Sequence, residues 1–198
     1  MARAQEPVAI VTGAARGIGR AIAHHLLDGG WHIGAVDLPQ AGLKRSYNRY
    51  GRNVVLIEGD VADEETARRA VKAVTEKFNR LDALVSNAGV MVRKPLRQLT
   101  LGEWRKVLDT NLTATFLFAR AAERSLRAAR GAIVTIASTR AQMSEPNTET
   151  YSASKGGLLA LTMVMAFLAE VFVLPATIKL FPRLFGADRV HASGLARA

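Results

Sequence analysis

The chain contains no cysteine. Disulfides and thiolate chemistry are excluded, and the composition fits a reducing, cytoplasmic setting. Acidic residues are scarce: 17 Asp and Glu stand against 27 Lys and Arg, for a formal net charge of +10. Such an excess can serve nucleic acid, a membrane surface or an anionic substrate. The cations are scattered, however. Their densest run, Arg120 to Arg130, is broken by Glu123 and several alanines. A solvated basic surface is expected, with no nucleic-acid partner. Long apolar runs are missing too. Gly156 to Ala169 carries no charge, but Glu170 and Pro175 interrupt it before a span of ~20 residues is reached, so no membrane partner is expected. Met1 to Pro7 lacks the apolar stretch of a secretory signal. Histidines are few and dispersed. His24 and His25 are helix neighbours pointing apart, while His32 and His191 are isolated, so no metal site is expected.

What is present is one domain's worth of alternating strands and helices. The 198 residues are 49% hydrophobic, enough for a sizeable core, and no linker or repeat divides them. Val8 to Thr12 reads as a strand. A glycine turn follows, then a helix with Ile18, Ile22, Ala23, Leu26 and Leu27 on one face, stopped by Gly29-Gly30. Trp31 to Val36 is the next strand and ends at Asp37; Val54 to Ile57 is the third. Asp63 is placed to cap a helix buried through Ala67, Ala70, Val71, Val74 and Phe78. Ala83 to Val85 forms a fourth strand. Thr100-x-x-Glu103 is a capping box opening a long helix whose apolar face runs through Trp104, Val107, Leu108, Leu112, Thr115, Phe116 and Ala119. Ala132 to Ala137 is the fifth strand, and a loop from Thr139 to Thr150 leads into another helix. This alternation predicts an α/β fold: a doubly wound, mostly parallel sheet flanked by helices, of Rossmann type. Ligands of such sheets bind outside the carboxyl ends of the strands.

Two groups of residues sit at such ends. Gly13, Gly17 and Gly19 lie between the first strand and the first helix. Glycine permits tight turns and close backbone approach, and a helix N-terminus attracts a pyrophosphate. Asp37 follows Gly19 by eighteen residues, at the end of the next strand. A carboxylate there accepts the ribose hydroxyls of NAD and repels a 2′-phosphate. Arg16 pulls the other way, since a guanidinium can pair with that phosphate. Asp37 would sit against the phosphate itself, so NAD is expected rather than NADP. The second group is Ser138 with Tyr151 and Lys155. Four residues make about one helical turn, so the phenol and the ammonium share a helix face. An ammonium favours the phenolate. Ser138, at a strand end, can hydrogen-bond a substrate oxygen.

Taken together, Thr12-Gly13-Ala14-Ala15-Arg16-Gly17-Ile18-Gly19, Asp60-Val61, Asn87-Ala88-Gly89, Asn111, Ser138 and Tyr151-x-x-x-Lys155 resemble the short-chain dehydrogenase/reductase family. The resemblance implies hydride transfer between NAD and a secondary alcohol or ketone, with Tyr151 donating or accepting the proton. It implies that Asn111, Ser138, Tyr151 and Lys155 are catalytic, with Asn111 holding a water that relays protons to Lys155. Gly13, Arg16, Gly17, Ile18, Gly19, Asp37, Asp60, Val61, Asn87, Ala88, Gly89, Tyr151 and Lys155 would contact the cofactor. Asp60 would hold the adenine through its side chain. A homodimer or homotetramer is the family's usual assembly.

The family-like core is expected over residues 5–162, with a divergent segment over 163–198. No Pro-Gly turn follows Thr162; the chain has Leu174-Pro175-Ala176 and then a stretch rich in Ala, Gly and Arg. The last strands of the usual fold are expected to be altered or lacking. A second reading is therefore a nucleotide-binding protein that retains the cofactor fold without a working substrate site.

Overall fold

The computed structural model describes residues 6–168. The features expected after Leu168, including Leu174-Pro175-Ala176 and His191, lie outside the described residues. Five parallel strands form one sheet: β1 (Val8–Thr12), β2 (His32–Asp37), β3 (Val54–Glu58), β4 (Ala83–Ser86) and β5 (Ala132–Thr135). Their order is β3-β2-β1-β4-β5. Strand β1 pairs with β2 on one side and with β4 on the other. The order therefore reverses at β1, and the crevice at its carboxyl end is where such sheets bind ligands.

The helices are α1 (Gly17–Asp28), α2 (Leu43–Tyr47), α3 (Glu64–Phe78), α4 (Leu101–Leu108), α5 (Ala114–Ala129) and α6 (Glu149–Leu168). Strand β1 shows why both faces are covered. Val8 and Ile10 pack with residues of α3 and α5, while Ala9 and Val11 pack with residues of α1 and α2. The period-2 alternation of a strand sends successive side chains into two separate cores. Asp63 caps α3 through Glu65 N, and Thr100 and Glu103 form the full capping box on α4.

Several expectations are corrected. Trp31 lies outside β2, and β5 stops at Thr135 rather than Ala137. Helix α6 runs to Leu168. Ile18 is 62% exposed instead of facing the core, because the first turn of α1 opens onto the crevice rather than onto the sheet. Phe116 is also exposed, with the Arg120 guanidinium 5.0 Å from its ring centre. A π turn, Asp109–Thr113, lies between α4 and α5. From Val107 to Leu126 a straight helix at ~100° per residue would end about 100° out of phase. One extra residue in the π turn removes that offset. Val107, Asn111, Ala114, Phe118, Ala122 and Leu126 then share the buried face.

Candidate active site

The glycine-rich turn after β1 is assembled by two neighbouring strand ends. Thr12 closes β1 and Ser86 closes β4, so the loops that follow them meet. Thr12 Oγ1 accepts hydrogen bonds from Asn87 N (3.0 Å) and Ala88 N (3.1 Å). Asn87 Nδ2 donates to Thr12 O (2.9 Å) and Gly13 O (3.2 Å). Gly19 is required by this packing: a Cβ there would stand 2.2 Å from Gly13 O and 2.4 Å from Asn87 Nδ2. Gly17 answers a different demand. Its φ is +57°, and a Cβ would meet nothing within 4 Å. The space beside it is open, and Arg16 caps α1 without any side-chain hydrogen bond. The N–H groups of the first turn therefore point at an open surface flanked by Arg16 and Ile18. Their partial positive charge suits a pyrophosphate.

Asp37 stands beside this loop, fixed by two backbone donors. Ala15 N donates to Oδ2 and Leu38 N to Oδ1, each at 2.8 Å. Each carboxylate oxygen keeps further acceptor capacity for a ribose hydroxyl. Asp60 accepts from Ala62 N at 2.9 Å through Oδ1. Val61 is only 6% exposed and packs in the core with Ile57 and Ala67. Its side chain is thus part of the core, and its backbone is the part available to a cofactor.

Lys155 is 4% exposed, and burial lowers the pKa of its ammonium. Its Nζ donates to Ile136 O at 2.6 Å and lies 5.8 Å from the centre of the Tyr151 ring. An ammonium has three donors. The bond to Ile136 O occupies one, leaving donor capacity on a buried cation that a ribose hydroxyl would satisfy. Ser138 Oγ accepts from Arg140 N at 3.2 Å, which leaves the hydroxyl proton available to a substrate oxygen. The turn that Ser138 caps, Thr139–Ala141, packs against α6.

Asn111, at the centre of the π turn, holds these parts in register. Its Oδ1 accepts from Val90 N (2.7 Å), and its Nδ2 donates to Val90 O (2.9 Å) and Ser154 Oγ (2.9 Å). Ser154, fully buried, donates in turn to Tyr151 O at 2.7 Å. Both Nδ2 protons of Asn111 are thus committed to protein groups, and Oδ1 already takes one donor. The rim is laced as well: Glu145 pairs with both Arg93 (3.2 Å) and Arg140, and Lys94 N donates to Asn147 O (3.1 Å). Met91 and Met143 are exposed apolar side chains on these rim segments.

Sequence reasoning missed Ser154, although a small polar residue three positions after Tyr151 is a visible hint. It also missed Ser46 and Tyr47 of α2. Tyr47 Oη donates to Ala14 O (2.7 Å) and Ser46 Oγ to Ala15 O (3.0 Å). Among the described residues no cluster of acidic or histidine side chains could hold a metal ion. No helix among them is long and apolar enough to cross a membrane.

The family pattern described as short chain dehydrogenase matches residues 7–171. The chain belongs to the short-chain dehydrogenase/reductase family. An uncharacterized oxidoreductase of Thermotoga maritima is 41% identical over 163 residues, covering 80% of this chain and 64% of that protein. A D-threitol dehydrogenase of Mycolicibacterium smegmatis is 40% identical over 163 residues, covering 80% and 63%. A crystal structure of a family member from Burkholderia phymatum in complex with NAD superposes with a TM-score of 0.79 at 26% identity, covering 84% and 61%. The chain thus spans just under two thirds of the length of these relatives.

Proposed function

We propose that this short-chain dehydrogenase/reductase transfers hydride between NAD and a secondary alcohol or ketone, with Tyr151 handling the proton. The observation that carries the reading is the buried Lys155 ammonium, anchored to Ile136 O and set against Tyr151 on one helix face. A structural lysine has no need of such a place, since burying a cation is costly unless it has partners. The nicotinamide, when bound, supplies or takes the hydride.

The chain's own residues do the rest. The first turn of α1 binds the pyrophosphate, and Asp37 accepts from the adenosine ribose hydroxyls. Lys155 donates to the nicotinamide ribose and favours the phenolate of Tyr151. Ser138 donates to the substrate oxygen and fixes its distance from Tyr151 Oη. In reduction Tyr151 gives its phenolic proton to that oxygen; in oxidation it removes it. Asn111 positions Tyr151 through Ser154 and would hold any water that relays protons to Lys155. A small polyol is a natural first substrate, since one relative is named for D-threitol. Assembly into a homodimer or homotetramer belongs to the same reading.

Parallel fluorescence titrations with NADH and NADPH test the cofactor half of this reading. Tighter NADH binding is expected, and Asp37→Ser, which keeps Arg16, should shift the preference toward NADPH. Equal preference in the two proteins would remove Asp37 from its role. Failure of the wild type to bind either nucleotide would reject the reading.

A further inference from the structure

We infer that Ser46 and Tyr47 are positioning residues for the dinucleotide loop, bracing it from the side opposite the cofactor; the link to affinity rests on the nucleotide-binding reading above. The loop Gly13–Gly17 has few ways to hold its shape. Glycine supplies conformational freedom at its ends, and Ala14 and Ala15 have no polar side chains of their own. Their backbone groups are nevertheless fully engaged. Ala14 N donates to Val36 O at 3.1 Å, and Ala15 N donates to Asp37 Oδ2 at 2.8 Å. On the acceptor side, Ala14 O takes the Tyr47 hydroxyl at 2.7 Å and Ala15 O takes the Ser46 hydroxyl at 3.0 Å. Two consecutive peptide units are thus held between β2 and α2.

The brace is itself rigid. Tyr47 is 1% exposed and packs in the core with Leu43, Ala14 and Ala15. Its ring meets the His24 ring edge-on at 5.1 Å. His24 in turn lies 3.1 Å from Ser46 O through Nε2. Burial pushes the Tyr47 phenol well above its ordinary pKa, so it remains a neutral donor. Because Ala15 N also holds the Asp37 carboxylate, the same brace orients the group that reads the ribose.

A loop already in its bound shape spends less of its binding free energy on ordering. Without the two hydroxyls, Ala14 O and Ala15 O lose their partners, and the loop samples other shapes. The effect should appear in nucleotide affinity even where the fold survives.

The test uses Tyr47→Phe, Ser46→Ala and the double variant of the full chain. Tyr50→Phe serves as a control, because the Tyr50 hydroxyl bonds Asp28 and not the loop. NADH dissociation constants are measured by fluorescence titration, and melting temperatures alongside. Losing one buried hydrogen bond should weaken NADH binding by ~10-fold in Tyr47→Phe, with a further loss in the double variant and little change in Tyr50→Phe. Amide hydrogen exchange without nucleotide provides a second readout. Exchange at Ala14 and Ala15 should speed up while Ile10 and Leu84 in the core stay protected. If Tyr47→Phe binds NADH as the wild type does, or if loop exchange is unchanged, the inference is overturned. A wild type that binds no nucleotide while its variants still loosen the loop would instead count against the nucleotide reading, leaving the brace confirmed.

Discussion

Replacing Gly19 with alanine isolates the contact between α1 and the loop ends of β1 and β4. The added Cβ would lie 2.2 Å from Gly13 O and 2.4 Å from Asn87 Nδ2. Swinging Asn87 aside relieves only the second clash, and it breaks the bonds to Thr12 O and Gly13 O. The backbone carbonyl cannot move without shifting the whole turn. Overpacking of this kind costs roughly 1–3 kcal/mol, and each buried group left unpaired adds about 1–3 kcal/mol. Alanine returns up to ~1 kcal/mol by restricting the unfolded chain. A net loss of about 2 kcal/mol should lower Tm by roughly 4–8 °C in a domain of this size. Gly17→Ala is the matched comparison. With no atom within 4 Å of its Cβ, it meets only the backbone cost of φ +57°, roughly 1–2 kcal/mol. Its larger effect should fall on NADH affinity, since the methyl projects where a phosphate would lie. Thermal unfolding and nucleotide titration of both variants separate the two. A Gly19→Ala protein as stable as the wild type would refute the close-packing argument.

Lys155→Met should abolish turnover without destabilising the apo protein at neutral pH, because it removes a buried cation. The sign follows from the lowered pKa: the folded chain gives up the Lys155 proton at lower pH than the unfolded chain does. Wild-type stability therefore gains from this group as pH rises from the folded pKa toward the ordinary lysine value of ~10.4. That rise should vanish from the Lys155→Met curve in denaturant melts across alkaline pH. Tyr47 has the opposite sign. Burial, and secondarily Tyr50, raise its pKa, so its contribution is intact below the unfolded phenol value of ~10 and is lost as pH climbs above it. Tyr47→Phe should lose less stability than the wild type between neutral pH and pH above ~10.

Much of the fold was legible because its signals are local. The capping box at Thr100 and Glu103, the cap at Asp63, and the glycines closing α1 each depend on a few adjacent residues. The alternation of strands and helices was enough to predict a parallel sheet. Ile18 and Phe116, both exposed, were misplaced for a shared reason: each stands at the edge of the apolar stripe assigned to it. Periodicity shows which residues share a stripe, but not whether the edge of that stripe is covered. The placement of Tyr151 and Lys155 on one helix face was readable from spacing; the service of Asn111 was not. Its amide serves Val90 and Ser154, residues 21 and 43 positions away, and no local pattern announces such bonds. Helix α2 escaped notice because five residues are too few to show a period, yet it carries the two hydroxyls that hold the loop.

The central claim is that Tyr151, supported by Lys155, moves the proton that accompanies hydride transfer. The most direct measurement is NADH formation from NAD with D-threitol and related secondary alcohols, in the wild type and in Tyr151→Phe, with NADH affinity determined for both. The account predicts turnover in the wild type, a loss of at least ~10²-fold in Tyr151→Phe, and nearly unchanged NADH binding. Equal turnover in the two proteins would contradict it.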